Sequence, residues 1–381
     1  MTQKIFLSAT AIKDFKSCPM RYRNAHFYGI RPIVDTEAKR VGTNWHKIQE
    51  INGQKPDNMD AVVAELNRVY NEIPDAMDKE KLEVERIILL YSLSGYNWYY
   101  GNQKEKILAT EIQFEIPVIN PETGRALPNV VNRGKIDKLI RTDGGIFVKE
   151  HKSTSSSVDP DSDLWGHLKL DTQTNNYVYA ARKLHAMGEL VEYGIAKDDI
   201  IAGVYFDAWH KPGIRPKKLS QGDSKKFVEG EVGESIINEY MGQRFSLALH
   251  WQGKNLLNLL VNGIQAHAEP GKKEGTFTIH ETPEMFGARL LQDIVERSEF
   301  YFACKELTKT DQDITRFEWE LYHLYKNMRS MTKTGYWYGD ESQCEATFKC
   351  SYIEQCYNNI LIDQDHVPDG MELIFRKEKS E

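Results

Sequence analysis

Two strand-like runs joined by a four-residue turn constrain this chain more than any other feature. Residues 130–140 and 146–149 flank Thr142-Asp143-Gly144-Gly145, and a Gly-rich turn of that length between them predicts a β-hairpin. What precedes it is different in kind. Ser8 is placed to cap a helix running to about residue 28, and helical periodicity returns over about 36–51, 59–70 and 79–100. Residues 107–118 mix β-branched and alternating apolar positions before the loop Asn120-Pro121-Glu122-Thr123-Gly124. After the hairpin the pattern predicts a helix over about 172–187, a strand over about 200–209, and helices again from 222 to 330. No internal repeat is visible.

Composition removes several classes. With 381 residues, 40% hydrophobic and 28% charged, the chain has material for two or three domains and a sizeable core, unlike a disordered or low-complexity chain. No run of about 18 apolar residues exists, and the opening Met-Thr-Gln-Lys-Ile-Phe-Leu-Ser lacks the pattern of a secretory signal. The expectation is a soluble, intracellular, cytoplasmic protein with no membrane partner. A net charge of −7 argues against a surface coated for non-specific DNA binding, although a cleft needs only a local basic lining. Five cysteines without an export signal make metal or cluster ligation a better use for grouped thiols than disulfides.

The hairpin carries the chemistry. Arg133-Gly134-Lys135-Ile136-Asp137 ends one strand, and Val148-Lys149-Glu150-His151-Lys152 ends its partner. Carboxylates at that separation can converge on one hard cation, since Mg²⁺ and Mn²⁺ prefer oxygen ligands. Glu150 and Lys152 share a strand face because the side-chain period is two. A lysine beside a metal-bound water can orient it, or stabilise charge developing on phosphorus. A lone Glu-x-Lys is usually just an exposed hairpin end, so the neighbours decide. His46, in Gly42-Thr43-Asn44-Trp45-His46, puts an imidazole on the second helix. Gln173 and Tyr177, four residues apart, share one face of the helix after the hairpin.

Taken in order, His46, Gly134-Lys135-Ile136-Asp137, Glu150-His151-Lys152 and Gln173-x-x-x-Tyr177 resemble the PD-(D/E)XK nuclease superfamily. Within it they resemble the RecB-like branch of helicase-associated exonucleases, CRISPR adaptation nucleases and phage-encoded proteins. The segment Phe15-Lys16-Ser17-Cys18-Pro19-Met20-Arg21-Tyr22 looks like that branch's N-terminal helix. The resemblance runs from Ser8 to Tyr177 and resumes at the C-terminal cysteines, while residues 178–335 match no motif. Ile136 stands where the name-giving proline would be, as Gly-x-x-Asp forms in this branch allow. The resemblance implies an α/β restriction-endonuclease-like core, a mixed central sheet flanked by helices, over 104–220. Helical additions would occupy 1–103 and 221–381. It implies His46, Asp137 and Glu150 as ligands of Mg²⁺ or Mn²⁺, with His151 lending its backbone carbonyl. Lys152 becomes the catalytic lysine, with Gln173 and Tyr177 beside the site. The activity implied is exonucleolytic cleavage of DNA, at single- or double-stranded ends, in phage or mobile-element recombination or repair. A recombinase, single-strand-binding protein or helicase would be the partner. The rival is an inactive nuclease-fold subunit for DNA binding or assembly; a degenerate site has no physical need for the complete acid-acid-lysine set.

Cys344, Cys350 and Cys356 form C-x5-C-x5-C, and Cys18 lies near the other end of the chain. Four thiolates suit a [4Fe–4S] cluster or a structural zinc. The lack of a tight C-x2-C pair favours the cluster, and the RecB-like branch supplies the same one-plus-three arrangement, though with a shorter first interval than Cys344 to Cys350. Cys304 is expected to be a small buried hydrophobe in a helix over 299–307. Lys211, Arg215, Lys217, Lys218, Lys225 and Lys226 form a basic loop that is either solvated or in contact with phosphates. Arg21, Arg23 and Arg31 are candidates to line the entry of a DNA strand. Trp165 is a candidate base-stacker, whereas Tyr336, Trp337 and Tyr338 are better placed to pack round the cysteines.

Overall fold

The computed structural model describes residues 4–54, 59–72, 78–101, 105–229, 236–346 and 349–375. Six strands form a mixed central sheet: β1 (Ile5–Leu7), β2 (Lys106–Ile119), β3 (Ala126–Thr142), β4 (Gly145–Thr154), β5 (Ile201–His210) and β6 (Phe302–Thr308). Strand β3, 17 residues long, serves two neighbours on one edge. Its early part pairs parallel with β1, Ile5 opposite Val130, and its end pairs antiparallel with β4, Lys138 opposite Lys149. Strand β2 runs antiparallel along the other edge. Strand β5 is parallel to β4, and β6 is antiparallel to β5. The expected hairpin is present, with Asp143 and Gly144 between the paired Thr142 and Gly145. Residues 146–151 are all buried because helices cover both faces of the sheet, as for strands inside layered α/β folds.

Among the described residues seven longer helices surround the sheet: α1 (Ala9–Ser17), α2 (Glu37–Gln54), α3 (Met59–Asn71), α4 (Lys79–Tyr100), α5 (Thr172–Met187), α6 (Pro283–Glu296) and α7 (Asp311–Thr334). Ser8, Asp78, Asp171, Thr282 and Thr310 cap α1, α4, α5, α6 and α7 through side-chain oxygens, satisfying donors that a helix start leaves open. Helices α1, α5 and α7 share one core with the sheet, including Leu7, Ile136, Val148, Val178, Phe206 and Phe317. Helices α2, α3, α4 and α6 build a second core round Trp45, Trp209 and Phe302. Among the described residues no helix is long and apolar enough to cross a membrane.

Three expectations are corrected. The first helix does not run unbroken to residue 28. It stops at Cys18, whose backbone is extended before Pro19, and a π-helical turn follows over Arg23–Phe27. The stretch 222–330 is not helical throughout. Strands Ile236–Tyr240, Gln243–Gln252, Asn255–Val261 and Ile264–Gln265 form a second, antiparallel sheet with its own core. Its tight turns place Met241-Gly242 and Asn262-Gly263 at positive φ, the backbone that right-twisted two-residue hairpins demand. Finally, residues 302–308 are the edge strand β6 rather than a helix, and Cys304 is exposed there.

Strand β6 can lie against β5 only because Gly203 has no side chain. A Cβ at that position would sit 2.2 Å from the Leu307 carbonyl oxygen. Gly203→Ala is expected to cost on the order of 1–3 kcal/mol of stability through overpacking. Denaturant unfolding of the two proteins would measure this, and equal midpoints would contradict the close approach.

Candidate active site

The site lies where strands β3 and β4 part. Their ladder reaches Lys138 and Lys149, so the next residues along, Asp137 and Glu150, face each other across the opening. Helix α2 brings His46 to them. Its preceding residue, Trp45, is buried and stacks on Trp209 of β5 with ring centroids 4.1 Å apart, which anchors that turn of the helix. His46 Nδ1 lies 3.2 Å from Asp137 Oδ2. One ligand atom from each of His46, Asp137 and Glu150 falls within 4.8 Å of the others. Asp137 Oδ2 and Glu150 Oε2 are buried and complete no hydrogen bond.

From the other side comes helix α5. Asp171 accepts from the Thr174 amide at 3.0 Å, fixing the start of the helix and with it Gln173. The Gln173 amide nitrogen donates to Glu150 Oε1 at 2.6 Å and reaches the Tyr177 hydroxyl at 3.3 Å. Its carbonyl oxygen accepts from Lys152 Nζ at 3.4 Å. Gln173 therefore joins the acid and the lysine of the Glu-x-Lys triplet, and Tyr177 backs it. The sequence-predicted His46, Asp137, Glu150, Lys152, Gln173 and Tyr177 are all brought together.

His151 behaves differently. Strand alternation sends its side chain to the opposite face, where Nδ1 lies 3.1 Å from Asp207 Oδ2, so only its backbone can face the carboxylate site. Around Asp207 is a buried polar group that the sequence reading missed. Asp207 also accepts from the Tyr96 hydroxyl and lies 3.4 Å from Lys149 Nζ, which in turn pairs with Glu105 at 2.7 Å. One signal was available: Asp207 is the sole ionised residue in the apolar run of β5, and buried charges need partners.

The electrostatics follow from burial and like charge. Burial raises the Glu150 carboxyl well above its usual range, and Asp137 pushes it further. Burial also acts on Asp137, but the adjacent His46 imidazole, with help from His151, holds it below the usual range. Without a cation, burial and like charge both disfavour a second negative charge at the pair. Two orphaned carboxylate oxygens and an imidazole nitrogen at this separation fit a hard divalent cation such as Mg²⁺ or Mn²⁺, whose charge would offset that cost.

The four cysteines also meet. Cys18, Cys344, Cys350 and Cys356 line one cavity of about 260 Å³. Burial raises the Cys350 and Cys356 thiols and the neighbouring cysteines add to it, while Arg21 and Arg23 oppose the rise. Arg21 lines the cysteine cavity. Arg21 is also paired with Asp14 at 2.9 Å, and Arg31 bonds the Ala25 carbonyl. Hydrogen bonds from Tyr352 to Ile30 and from Gln364 to Tyr28, with strand Met371–Leu373 paired to Ile30–Pro32, tie the two ends of the chain beside this cavity. Trp165 is buried against Phe206 and bonded to the Asp159 carbonyl, so it is not free to stack on a base. Trp337 packs among Phe15, Tyr22 and Phe27, whereas Tyr336 and Tyr338 are exposed. In the basic loop, Lys218 is held by Glu269 and Arg215 lies 3.8 Å from Glu37.

His151 yields a pH prediction. Burial, and then Lys138, lowers its imidazole from 6.5 to about 4. The unfolded chain therefore takes up a proton below pH 6.5 that the folded chain refuses, and stability falls as pH drops toward 4. Between pH 6.5 and 5 the loss is on the order of 2 kcal/mol. His151→Asn should lose that much less stability than wild type over the same interval in denaturant titrations. Identical pH slopes would contradict a neutral, buried His151.

A search among curated proteins returned no match to the chain. The sequence profile of the PD-(D/E)XK nuclease superfamily matches residues 6–357, nearly the whole length. The mixed central sheet flanked by helices is consistent with that family's core, and the chain belongs to the PD-(D/E)XK nuclease superfamily.

Proposed function

We propose that the chain is a Mg²⁺- or Mn²⁺-dependent deoxyribonuclease of the RecB-like branch, acting as an exonuclease on DNA ends and carrying a structural [4Fe–4S] cluster. The observation that carries the reading is the convergence at the parted strands. Three ligand side chains and a lysine meet there, and Gln173 bonds both Glu150 and Lys152. His46, Asp137 and Glu150 would hold the cation, with the His151 backbone carbonyl beside them. When bound, the ion supplies a more acidic water and neutralises charge on the scissile phosphate. Lys152 stands next to the acid pair, where an ammonium can hold the attacking water in place and stabilise the charge that grows on the phosphate oxygens. Gln173 fixes the orientation of both partners. Tyr177, whose hydroxyl is kept neutral by burial and by the Glu150 and Asp137 charges, holds Gln173. A role in phage or mobile-element recombination or repair, beside a recombinase, single-strand-binding protein or helicase, follows from the resemblance to the branch.

For the cluster, the meeting of the cysteines is what supports the reading. Cys18, far from the other three in the sequence, lines one cavity with Cys344, Cys350 and Cys356, and four thiolates suit a [4Fe–4S] group. Its place between the chain ends suits a staple, which restricts the unfolded chain by closing a very long loop.

Two tests follow. Asp137→Asn, Glu150→Gln and Lys152→Ala should each lower metal-dependent DNA degradation at least a hundredfold with the circular dichroism spectrum unchanged. Wild-type rates in any of them would remove that residue from the site. End-labelled linear and closed circular DNA should separate the modes, with the circle surviving; its cleavage would make the protein an endonuclease. Anaerobically purified protein should contain about four irons per chain, reduced in Cys18→Ser or Cys356→Ser and unchanged in Cys304→Ser. Zinc lost with those same cysteines, and no iron, would replace the cluster by a structural zinc.

A further inference from the structure

The small hairpin beyond the second sheet pairs Ala268–Pro270 with Phe277–Ile279, Ala268 opposite Ile279. Continuing that register by one residue sets His267 opposite His280, and the His280 amide donates to the His267 carbonyl at 2.9 Å. Glu269 is two residues on from His267, so period-two alternation returns it to the same face. One face of a two-stranded ribbon thus presents two imidazoles and a carboxylate, and one ligand atom from each lies within 4.8 Å of the others. His280 Nε2 stands 2.9 Å from Glu269 Oε1, and His267 Nε2 stands 3.6 Å from the same oxygen. Ligand atoms round a tetrahedral zinc with bonds of about 2.0–2.1 Å are roughly 3.3 Å apart, between those two distances.

We propose that His267, Glu269 and His280 form a second metal site, selective for a borderline transition ion such as Zn²⁺ and separate from the carboxylate site of the nuclease core. Two nitrogen donors and one oxygen favour zinc over Mg²⁺, which takes oxygen ligands and keeps its water. Three protein ligands leave one position for water. In the metal-free chain the positive charge is supplied by Lys218, whose ammonium bonds both Glu269 oxygens at 2.8 and 2.7 Å. Its side chain is half exposed, so it can swing into solvent when a cation takes the carboxylate. Lys218 also bridges His280 through the backbone, and its segment leaves β5 next to Thr154, whose carbonyl accepts from the Lys211 amide at 2.8 Å. An ion here would clip together the two strands of a short hairpin, too small to be stable alone. The inference stands whether or not the nuclease reading does.

The test uses the full chain with Asp137→Asn and Glu150→Gln, so that the core site does not report, and measures zinc per chain after equilibrium dialysis. Adding His267→Ala and His280→Ala should remove one zinc per chain. Lys218→Ala removes the competing ammonium and should tighten zinc binding at least twofold, a gain that an incidental pair of surface histidines would not show. Zinc content unchanged by the two histidine substitutions overturns the site. Equal or weaker affinity in Lys218→Ala overturns the exchange of ammonium for metal on which the argument depends.

Discussion

Two carboxylates buried against each other are the constraint round which this structure is organised. Their ligand oxygens lie within 4.8 Å of each other, and burial and the Asp137 charge both work against ionisation of Glu150. The fold tolerates the arrangement by surrounding it. His46 and the His151 backbone favour the charge on Asp137. The Gln173 amide donates to Glu150, and Lys152 stands across from that glutamine. Those partners still leave one oxygen on each acid without a donor, the state that a divalent cation relieves.

The opposite face of the sheet serves that arrangement. Glu150 points to the site, while its neighbours Lys149 and His151 point behind it, and both lie against the single carboxylate of Asp207 on the adjacent strand. A charge buried on β5 therefore holds the residues on either side of the ligand on β4. Asp207 stays ionised against the cost of burial because Lys149, His151 and Tyr96 surround it. Lys138, with burial and then Lys149 against it, is lowered to about 8. The two faces of β4 thus do different electrostatic work: one leaves an acid under-satisfied, and the other is packed with partners.

How much of this could be read in the sequence depended on how local each signal was. The hairpin was legible from its turn, and α5 was legible from end to end because Asp171 caps it and Gly188 ends it in the left-handed conformation. The acid, triplet and glutamine–tyrosine motifs were legible as spacings, and the sheet register then made them neighbours. What failed was long-range. The second sheet was read as helix because Leu-rich runs such as 245–260 suit either state, although Asn262-Gly263 is a hairpin dipeptide. Strand β6 depends on Gly203 and on pairing with a strand about a hundred residues earlier, which no local window contains. Asp207 needed the same knowledge, since its partners come from α4 and β4. Cys18 and the three C-terminal cysteines, far apart in the sequence, come to one cavity, whereas Trp165, a base-stacking candidate on residue type alone, is buried against Phe206.

The account stands on the claim that the parted ends of β3 and β4 hold a divalent ion. Crystals soaked in Mn²⁺ test it most directly, through the anomalous signal of the metal. The account predicts a peak about 2.0–2.2 Å from one oxygen of Asp137 and one of Glu150, with a nitrogen of His46 completing the ligand set. No peak at that position, with both carboxylates still bonded only to protein groups, would contradict it.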